Sequence, residues 1–191
     1  FTGPLYTVYK AITAIRLAQT ISHRLGVRCT PVFWNASHDH DIEESGIAHF
    51  LTKRREVLSI EYPDRQSVRG MPMYRVPLPE SLHDCVCVAA EETNGCESKD
   101  EIVGFLHQTL KESRSLAEWF ARLMARLFRE TPLVIFDPTL PHVRKKVVTL
   151  FEKEIANPTV LSRLVMEAGD KLRSVGGSAG GGGGGGGWGL F

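Results

Sequence analysis

Two short apolar segments constrain the fold of this chain more than any other feature. Residues 133–136 read LVIF, and residues 27–34, VRCTPVFW, end in a second apolar run. A short continuous apolar run is typical of a strand that is buried on both faces of a parallel sheet. Pro31 argues against ladder pairing in the first half of the earlier segment, so we expect that strand over Val32–Trp34.

Amphipathic helices are predicted around these strands. Apolar residues at steps of mostly three or four predict a helix over 5–25, which Gly26 ends. Capping boxes, SKDE at 98–101 and SLAE at 115–118, predict the starts of two more helices. The helix that follows SLAE is expected to bury one apolar face, formed by Leu116, Trp119, Phe120, Leu123, Met124, Leu127 and Phe128.

Two further helices are predicted after the second strand. Pro141 begins the first of them, and Asn157-Pro158 separates it from the second. The first is expected to have an apolar face that points into the protein, formed by Val143, Val147, Leu150, Phe151 and Ile155. The second carries a stripe, two heptads long, that is also the pattern of a coiled coil: Leu161, Leu164, Val165, Ala168, Leu172 and Val175.

The order helix, strand, helices, strand, helix predicts an α/β fold with a parallel sheet. We expect the core over 1–157. Within it, 45–97 has short apolar pieces among Pro, Gly and charged residues, which indicates an insertion of small strands or turns. Residues 158–177 would begin the coiled coil. The glycine-rich tail, 178–191, cannot pack a core and is expected to be disordered, either a linker or an artefact.

The composition argues against several classes of protein. Of 191 residues, 23 are basic and 22 acidic, and the net charge of +1 gives no reason to expect a nucleic-acid partner. The sequence shows no apolar run of about 18 residues and no signal peptide, so a membrane partner is not expected. Four cysteines without secretory features fit a reduced protein of the cytoplasm.

The stretch richest in reactive side chains is FWNASHDHDIEES (33–45), which overlaps the end of the first predicted strand. Ligands of parallel sheets bind beyond the carboxyl ends of the strands. Three interpretations stay open. His40 acts in acid/base chemistry with a carboxylate that orients it. Alternatively, His38, His40 and Asp41 hold a metal, since alternating residues of an extended segment share one side. Third, the stretch is a solvated loop whose acidic residues cap the next helix.

Two other places are candidates for ligand contacts. The FTGP turn, with Thr2 and Gly3, precedes the first helix and could present backbone N–H groups to a phosphate or carboxylate. Tyr9 and Lys10 lie a turn or two further on. The alternative is an ordinary helix cap. Asp137 ends the second strand and could hold a ribose hydroxyl or an amine, or it simply begins a turn.

The cysteines do not predict a structural metal. Cys85, Cys87 and Cys96, with His83, have the spacing H-x-C-x-C…C. Zinc sites usually show C-x₂₋₄-C pairs instead. We therefore expect plain reduced cysteines.

Three segments taken together carry a resemblance to a known family. FTGPLYTVYKAITAIRLA (1–18), PVFWNASHDHDIEE (31–44) and LVIFDP (133–138) resemble the cysteine-adding enzymes of bacillithiol biosynthesis, which are cysteine ligases. The resemblance covers about residues 1–177. It implies a Rossmann-like core of the nucleotidylyl-transferase type, with an insertion and a coiled coil. It also implies a chain cut at both ends, because the family has a segment upstream of FTGP and a second half.

The implied reaction joins cysteine to glucosaminyl-malate through an amide bond, in the cytoplasm and in a homodimer. ATP with Mg²⁺ would activate the carboxylate, although FTGP lacks both histidines of the H-x-G-H motif found at that place in relatives. The resemblance implies catalytic roles for Asp39, His40 and Asp41, which match the family's Asp-His-Asp. The residues expected to bind substrate or cofactor are Thr2, Gly3, Tyr6, Tyr9, Lys10, Trp34 and Asp137.

Two rival functions remain beside the ligase. A metal-dependent hydrolase would use His38, His40 and Asp41, but His38 departs from the Glu that the family carries there, which argues against a metal ligand at this position. A non-catalytic remnant that only folds or binds is the other rival.

Overall fold

The computed structural model describes residues 5–93 and 97–176. Helix α1 shows its 3.6-residue period directly, because one face buries Ala11, Ile15 and Ala18. The elements follow in the order α1 (Leu5–Leu25), β1 (Val32–Trp34), α2 (Ile42–Ser45), β2 (Ile47–Leu51), β3 (Val57–Glu61), a 3₁₀ turn (Arg65–Val68), α3 (Ser81–Glu92), α4 (Lys99–Glu112), α5 (Leu116–Leu127), β4 (Val134–Phe136), α6 (Pro141–Ala156) and α7 (Pro158–Ser174).

The bounds of α1 agree with the predicted helix. Gly26 follows its last residue with φ +63°. That left-handed conformation is easily adopted by glycine and ends helices at the residue after the C-cap. The predicted cap at the other end, in the FTGP turn, lies outside the described residues.

The two predicted strands pair in parallel, as expected. Val32 stands opposite Val134, and Trp34 stands opposite Phe136. The expectation that LVIF is buried on both faces is wrong, however, because Val134 is 45% exposed. In the described part of the chain this sheet has only two strands, so one face and the outer edges lack neighbours.

The segment 45–97 contains the small strands that we predicted, as an antiparallel β2–β3 hairpin. The prediction is wrong for the piece DCVCVAA, which forms most of α3. Leu82 and Val86, four residues apart, both point into the core, and this helical spacing outweighs the apparent strand pattern. Helix α3 packs against α4 and β3.

The insertion is not peripheral, because it supplies much of the larger hydrophobic core. Within that core, Trp119 of α5 donates a hydrogen bond from its indole Nε1 to Thr109 Oγ1 of α4 at 3.0 Å. The core residues are Ile42, Tyr62, Val68, Met73, Val76, Leu82, Val86, Leu110, Leu116, Ala117 and Trp119. A smaller cluster under the parallel strands contains Ala11, Ile15, Met124 and Phe128.

The two capping boxes have different outcomes. Ser115 accepts a hydrogen bond from the Glu118 N–H at 3.2 Å, and Glu118 in turn accepts one from the Arg114 N–H. Ser98 begins α4 but its side chain makes no capping hydrogen bond. Most of the predicted apolar face of α5 is buried or half-buried, but Leu127 is exposed.

Contacts divide the chain into two units, Phe1–Leu140 and Pro141–Phe191. The boundary expected at 157, between the core and the coiled coil, stays a prediction. Asn157 separates α6 from α7 as predicted. The inward face expected for α6 is wrong at Leu150, Phe151 and Ile155, which are exposed. The described side chains of the α7 stripe are exposed too, and the coiled coil stays a prediction. The tail 178–191 lies outside the described residues.

No helix in the described ranges is long and apolar enough to cross a membrane.

Two glycines offer a matched test of backbone conformation. A Cβ added at Gly26 or at Gly104, within α4, would touch no heavy atom within 4 Å. Of these two, Gly26 has positive φ and Gly104 does not. We expect Gly26→Ala to lower the free energy of unfolding by about 1 kcal/mol. Gly104→Ala should instead raise it by up to about 1 kcal/mol, because alanine is the better helix former. Urea unfolding measures both, and equal effects would contradict this assignment.

Candidate functional site

A cavity of about 630 Å³ lies beside β1 and beyond its carboxyl end. That is where ligands of parallel sheets bind. Helix α1 contributes Tyr6, Thr7 and Lys10, and the segment after β1 contributes Asp39 and Asp41. The remaining lining residues are Ala14, Val32, Phe33, Trp34, Asn35, Ala36, Glu44, Ser45, Met73, Leu116, Ala117 and Phe120.

The charges of the cavity are distributed unevenly. Asp39, Asp41 and Glu44 provide three carboxylates, whereas Lys10 is the one cation among the described lining residues. The Lys10 ammonium lies 4.5 Å from the centroid of the Tyr6 ring, which favours a fixed position for it through a cation–π interaction. The arrangement suits a small ligand that carries both an ammonium and a carboxylate.

Backbone hydrogen bonds fix the segment that carries the acidic residues. The Asn35 N–H donates to the Phe136 carbonyl at 2.8 Å, which extends the pairing of β1 and β4 by one residue. Further along, the Met73 N–H donates to the Asp39 carbonyl, and the Tyr74 N–H donates to the Ser37 carbonyl, both at 2.9 Å. The insertion therefore holds the loop from which the acidic residues project.

Asp137 ties the ends of the two strands together and does not line the cavity. Its Oδ1 accepts hydrogen bonds from Ser37 Oγ at 2.7 Å and from the Thr139 N–H and Oγ1 at 2.8 and 2.6 Å. Its Oδ2 accepts one from Asn35 Nδ2 at 3.3 Å. These bonds favour the turn that we weighed as the alternative to a ligand contact.

The protonation of Asp137 follows from this surrounding. Partial burial raises the pKa of its carboxyl, but the hydrogen bonds from Thr139, Ser37 and Asn35 outweigh burial and hold the pKa below its usual value of 3.8. Asp137 is therefore a fixed negative charge at neutral pH. Asn35 Nδ2 also donates to the Ala117 carbonyl at 3.2 Å, which connects this network to α5.

The two histidines of the cluster lie outside the cavity lining. The chain turns at residues 37–38, so the extended geometry that would bring His38 and His40 together is not present. His38 is exposed and meets the edge of the Tyr74 ring, with centroids 5.9 Å apart. His40 is exposed as well. In residues 5–93 and 97–176, no three His, Cys, Asp or Glu side chains form a group that could hold a metal ion.

The structure brings together five of the predicted site residues and leaves out others. The cavity is lined by Tyr6, Lys10, Trp34, Asp39 and Asp41. Tyr9, His40 and Asp137 do not line it, while Thr2 and Gly3 lie outside the described residues.

Sequence reasoning missed several lining residues. Asn35 and Ser45 flank the conspicuous histidines and acids, and the position of Asn35 directly after β1 was a usable signal. Met73 and Leu116 come from distant segments, and no local pattern connects them to the site.

Comparison with known proteins identifies the family. Residues 1–180 match the family model described as bacillithiol biosynthesis BshC, N-terminal Rossmann-like domain. The chain belongs to the BshC family. The predicted resemblance and the Rossmann-like fold are thereby confirmed.

Curated relatives agree with this assignment. The relatives below are all named "Putative cysteine ligase BshC". The protein from Bacillus cytotoxicus is 35% identical over 81% of this chain and 29% of its own length. The relative from Symbiobacterium thermophilum is 36% identical over 81% of this chain and 30% of its own length. The relative from Prosthecochloris aestuarii is 32% identical over 94% of this chain and 32% of its own length. The chain thus spans about a third of the length of these relatives.

The Asp137 network gives a test of stability against pH. Asp137→Ala leaves the buried Ser37 hydroxyl with only its longer, 3.4 Å contact to the Asn35 carbonyl, so we expect a loss of about 1–3 kcal/mol in the free energy of unfolding at neutral pH. The folded pKa lies below the unfolded one, so the stabilisation is present above pH 3.8 and is lost as the pH falls through the folded pKa. The difference between variant and wild type should therefore shrink in acid.

Urea unfolding across this pH range measures both quantities. Asp84→Ala removes an exposed carboxylate of α3 and serves as the control, with an expected change within about 0.5 kcal/mol. A loss of stability for Asp137→Ala that stays constant from neutral pH into acid would contradict the assigned role of its charge.

Proposed function

We propose that this chain is the N-terminal part of a cysteine ligase that joins cysteine to glucosaminyl-malate through an amide bond. Membership of the BshC family supports the reaction class. The observation that carries the proposal is the cavity at the end of β1, which is lined by three acidic residues and, among the described residues, a single lysine. An amino acid is a small ligand with that pair of opposite charges.

The lining accounts for each part of a bound cysteine. The acidic wall of Asp39, Asp41 and Glu44 would hold the ammonium, and Lys10 would hold the carboxylate. Charge-assisted hydrogen bonds of both kinds are about twice as strong as neutral ones. The thiol would meet the apolar part of the lining, which includes Met73.

Amide formation joins the incoming amine to the carboxyl carbon of cysteine and breaks a C–O bond of that carboxyl, whose oxygen leaves only after activation, which ATP would supply in the complete enzyme. Two tasks then fall to these residues. The attacking amine must lose a proton, and Asp39 or Asp41 is close enough to the cavity to accept it. Negative charge must be stabilised on the carboxyl oxygen under attack, and Lys10 would supply that stabilisation. His40 matches the family's motif but does not line the cavity, whereas Asp39 and Asp41 do, so we assign the proton transfer to the aspartates.

ATP with Mg²⁺ is a separate proposal for the complete enzyme. The described cavity residues do not fit a triphosphate, because three carboxylates face the cavity and only Lys10 opposes their charge. The negative charges of these carboxylates would repel the negative charges of a triphosphate. We assign to this cavity only the amino acid and the incoming amine.

The setting of the enzyme is likewise proposed. A cytoplasmic location follows from the substrates of the proposed reaction. A homodimer through the coiled coil would bury exposed apolar side chains of α7, among them Leu164, Val165 and Leu172, and that of Val175, which follows the helix.

Neighbouring glutamates on α2 provide a matched test. Glu44 lines the cavity, whereas the Glu43 carboxylate pairs with Arg69 Nε at 2.8 Å and does not line it. In the enzyme that contains this chain, we expect Glu44→Gln to raise the KM for cysteine about tenfold, since one charged contact to the ammonium is lost. Glu43→Gln should leave KM unchanged. Equal effects would contradict an ammonium site on this wall.

The catalytic assignment is tested by a second pair. Asp41→Asn should lower kcat by about a hundredfold or more if Asp41 accepts the proton. His40→Gln should leave kcat within about threefold, because its side chain is outside the lining. Product formation followed by mass spectrometry measures both, and the reverse order of the two variants would overturn the role of the aspartate.

A further inference from the structure

A second group of reactive side chains lies between α3 and α4, and none of its members lines the cavity. His83 and Cys87 are four residues apart on α3, so they share one helix face. His107 of the neighbouring α4 lies beside both. The function proposed above uses none of the three.

The contacts among these groups form a chain that can carry a proton. The Nδ1 atoms of His83 and His107 are 2.6 Å apart, and the ring planes differ by only 14°. Cys87 Sγ lies 3.8 Å from Nε2 of the same His107 ring. The thiol therefore faces one nitrogen of His107 while His83 faces the other.

The short contact between the histidines restricts where protons can sit. Two N–H groups cannot point at each other, so one Nδ1 donates and the other accepts. When His107 Nδ1 donates to His83, Nε2 of the neutral His107 ring is the bare acceptor that faces Cys87. If the thiol proton moves to Nε2, the resulting imidazolium donates one hydrogen bond to the thiolate and one to His83. A nucleophile, a base and a group that orients the base are then present together.

We infer that Cys87 is a site of thiol–disulfide exchange, at which a low-molecular-weight disulfide forms a mixed disulfide with the protein. The Cys87 proton passes to His107 Nε2, and the thiolate attacks one sulfur of the disulfide. A protein–ligand S–S bond forms as the S–S bond of the reagent breaks. The second half of the reagent leaves as a thiolate and takes up the proton from His107. Cys87 is oxidised and the departing half of the reagent is reduced, so the disulfide is the only oxidant that the step requires.

The other described cysteines provide a contrast within the same chain. Cys85 is half-buried on the same helix, and burial, followed by the nearby Asp84 charge, raises the pKa of its thiol. Cys29 is half-buried as well, whereas Cys87 is exposed. Exposure and a base thus coincide only at Cys87 among the cysteines that the structure describes. The inference does not depend on the proposed ligase activity, because it shares no residue with the cavity.

The test uses the full chain and 2-hydroxyethyl disulfide, a neutral reagent that surface charge does not steer. Peptide mass spectrometry over time gives a rate for each cysteine at neutral pH. An ordinary thiol is only a few per cent ionised there, so assistance by His107 should make Cys87 about tenfold faster than Cys85. A Cys87 rate no higher than that of Cys85 would overturn the inference.

Variants separate assistance by the base from mere exposure. His107→Gln should lower the Cys87 rate about tenfold, and His83→Gln should lower it by a smaller factor because the base remains. His49→Gln is the control, since His49 pairs with Ser59 on the β2–β3 hairpin and should leave the rate unchanged. An unchanged rate in folded His107→Gln contradicts the relay.

A measurement on the wild type covers the case in which a histidine variant fails to fold. In concentrated urea the relay is lost although Cys87 becomes fully accessible. The Cys87 rate should then fall toward that of an unstructured cysteine peptide in the same solution. A rate that rises on unfolding would show that the native site gives no assistance.

Discussion

The negative charge of Asp137 holds together the end of the parallel sheet, and the candidate site depends on it. One carboxylate accepts hydrogen bonds from Ser37 on the loop after β1 and from Thr139 after β4. The Asn35 side chain also donates to this carboxylate, and it donates a second hydrogen bond to the Ala117 carbonyl of α5. Two strands of three residues offer few ladder bonds. The hydrogen bonds to the Asp137 carboxylate therefore do more than the ladder to hold the loop after β1. That loop keeps its acidic side chains turned toward the cavity.

Local patterns predicted the parts of the fold that local forces determine. The period of α1, its stop at Gly26 and the parallel strands were all predictable. Helix α3 was not, because alternating apolar residues in a short segment fit a strand as well as a helix, and packing against α4 decides between them. The exposure of Val134 was also unpredictable, since burial on both faces requires neighbours that a strand's own sequence does not reveal.

The site shows the same division. Lys10 was predicted because it follows the FTGP turn by a turn or two of helix, and Asp39 because it comes shortly after the first strand. The family resemblance implied a site role for both. His40 was the most conspicuous candidate, yet it does not line the cavity, and the chemistry of a side chain says nothing about its direction. Met73 entered the cavity only through hydrogen bonds between segments. Non-local contacts of this kind have no signature in the sequence.

The central claim is that the cavity recognises both charges of an amino acid, and isothermal titration of the chain with three ligands tests it most directly. L-cysteine carries both charged groups, 3-mercaptopropionate lacks the ammonium, and cysteamine lacks the carboxylate. We predict that L-cysteine binds and that removing either group weakens binding about tenfold or more, as expected for the loss of a charged hydrogen bond. Equal binding of L-cysteine and 3-mercaptopropionate, or no binding of L-cysteine at all, would contradict the account.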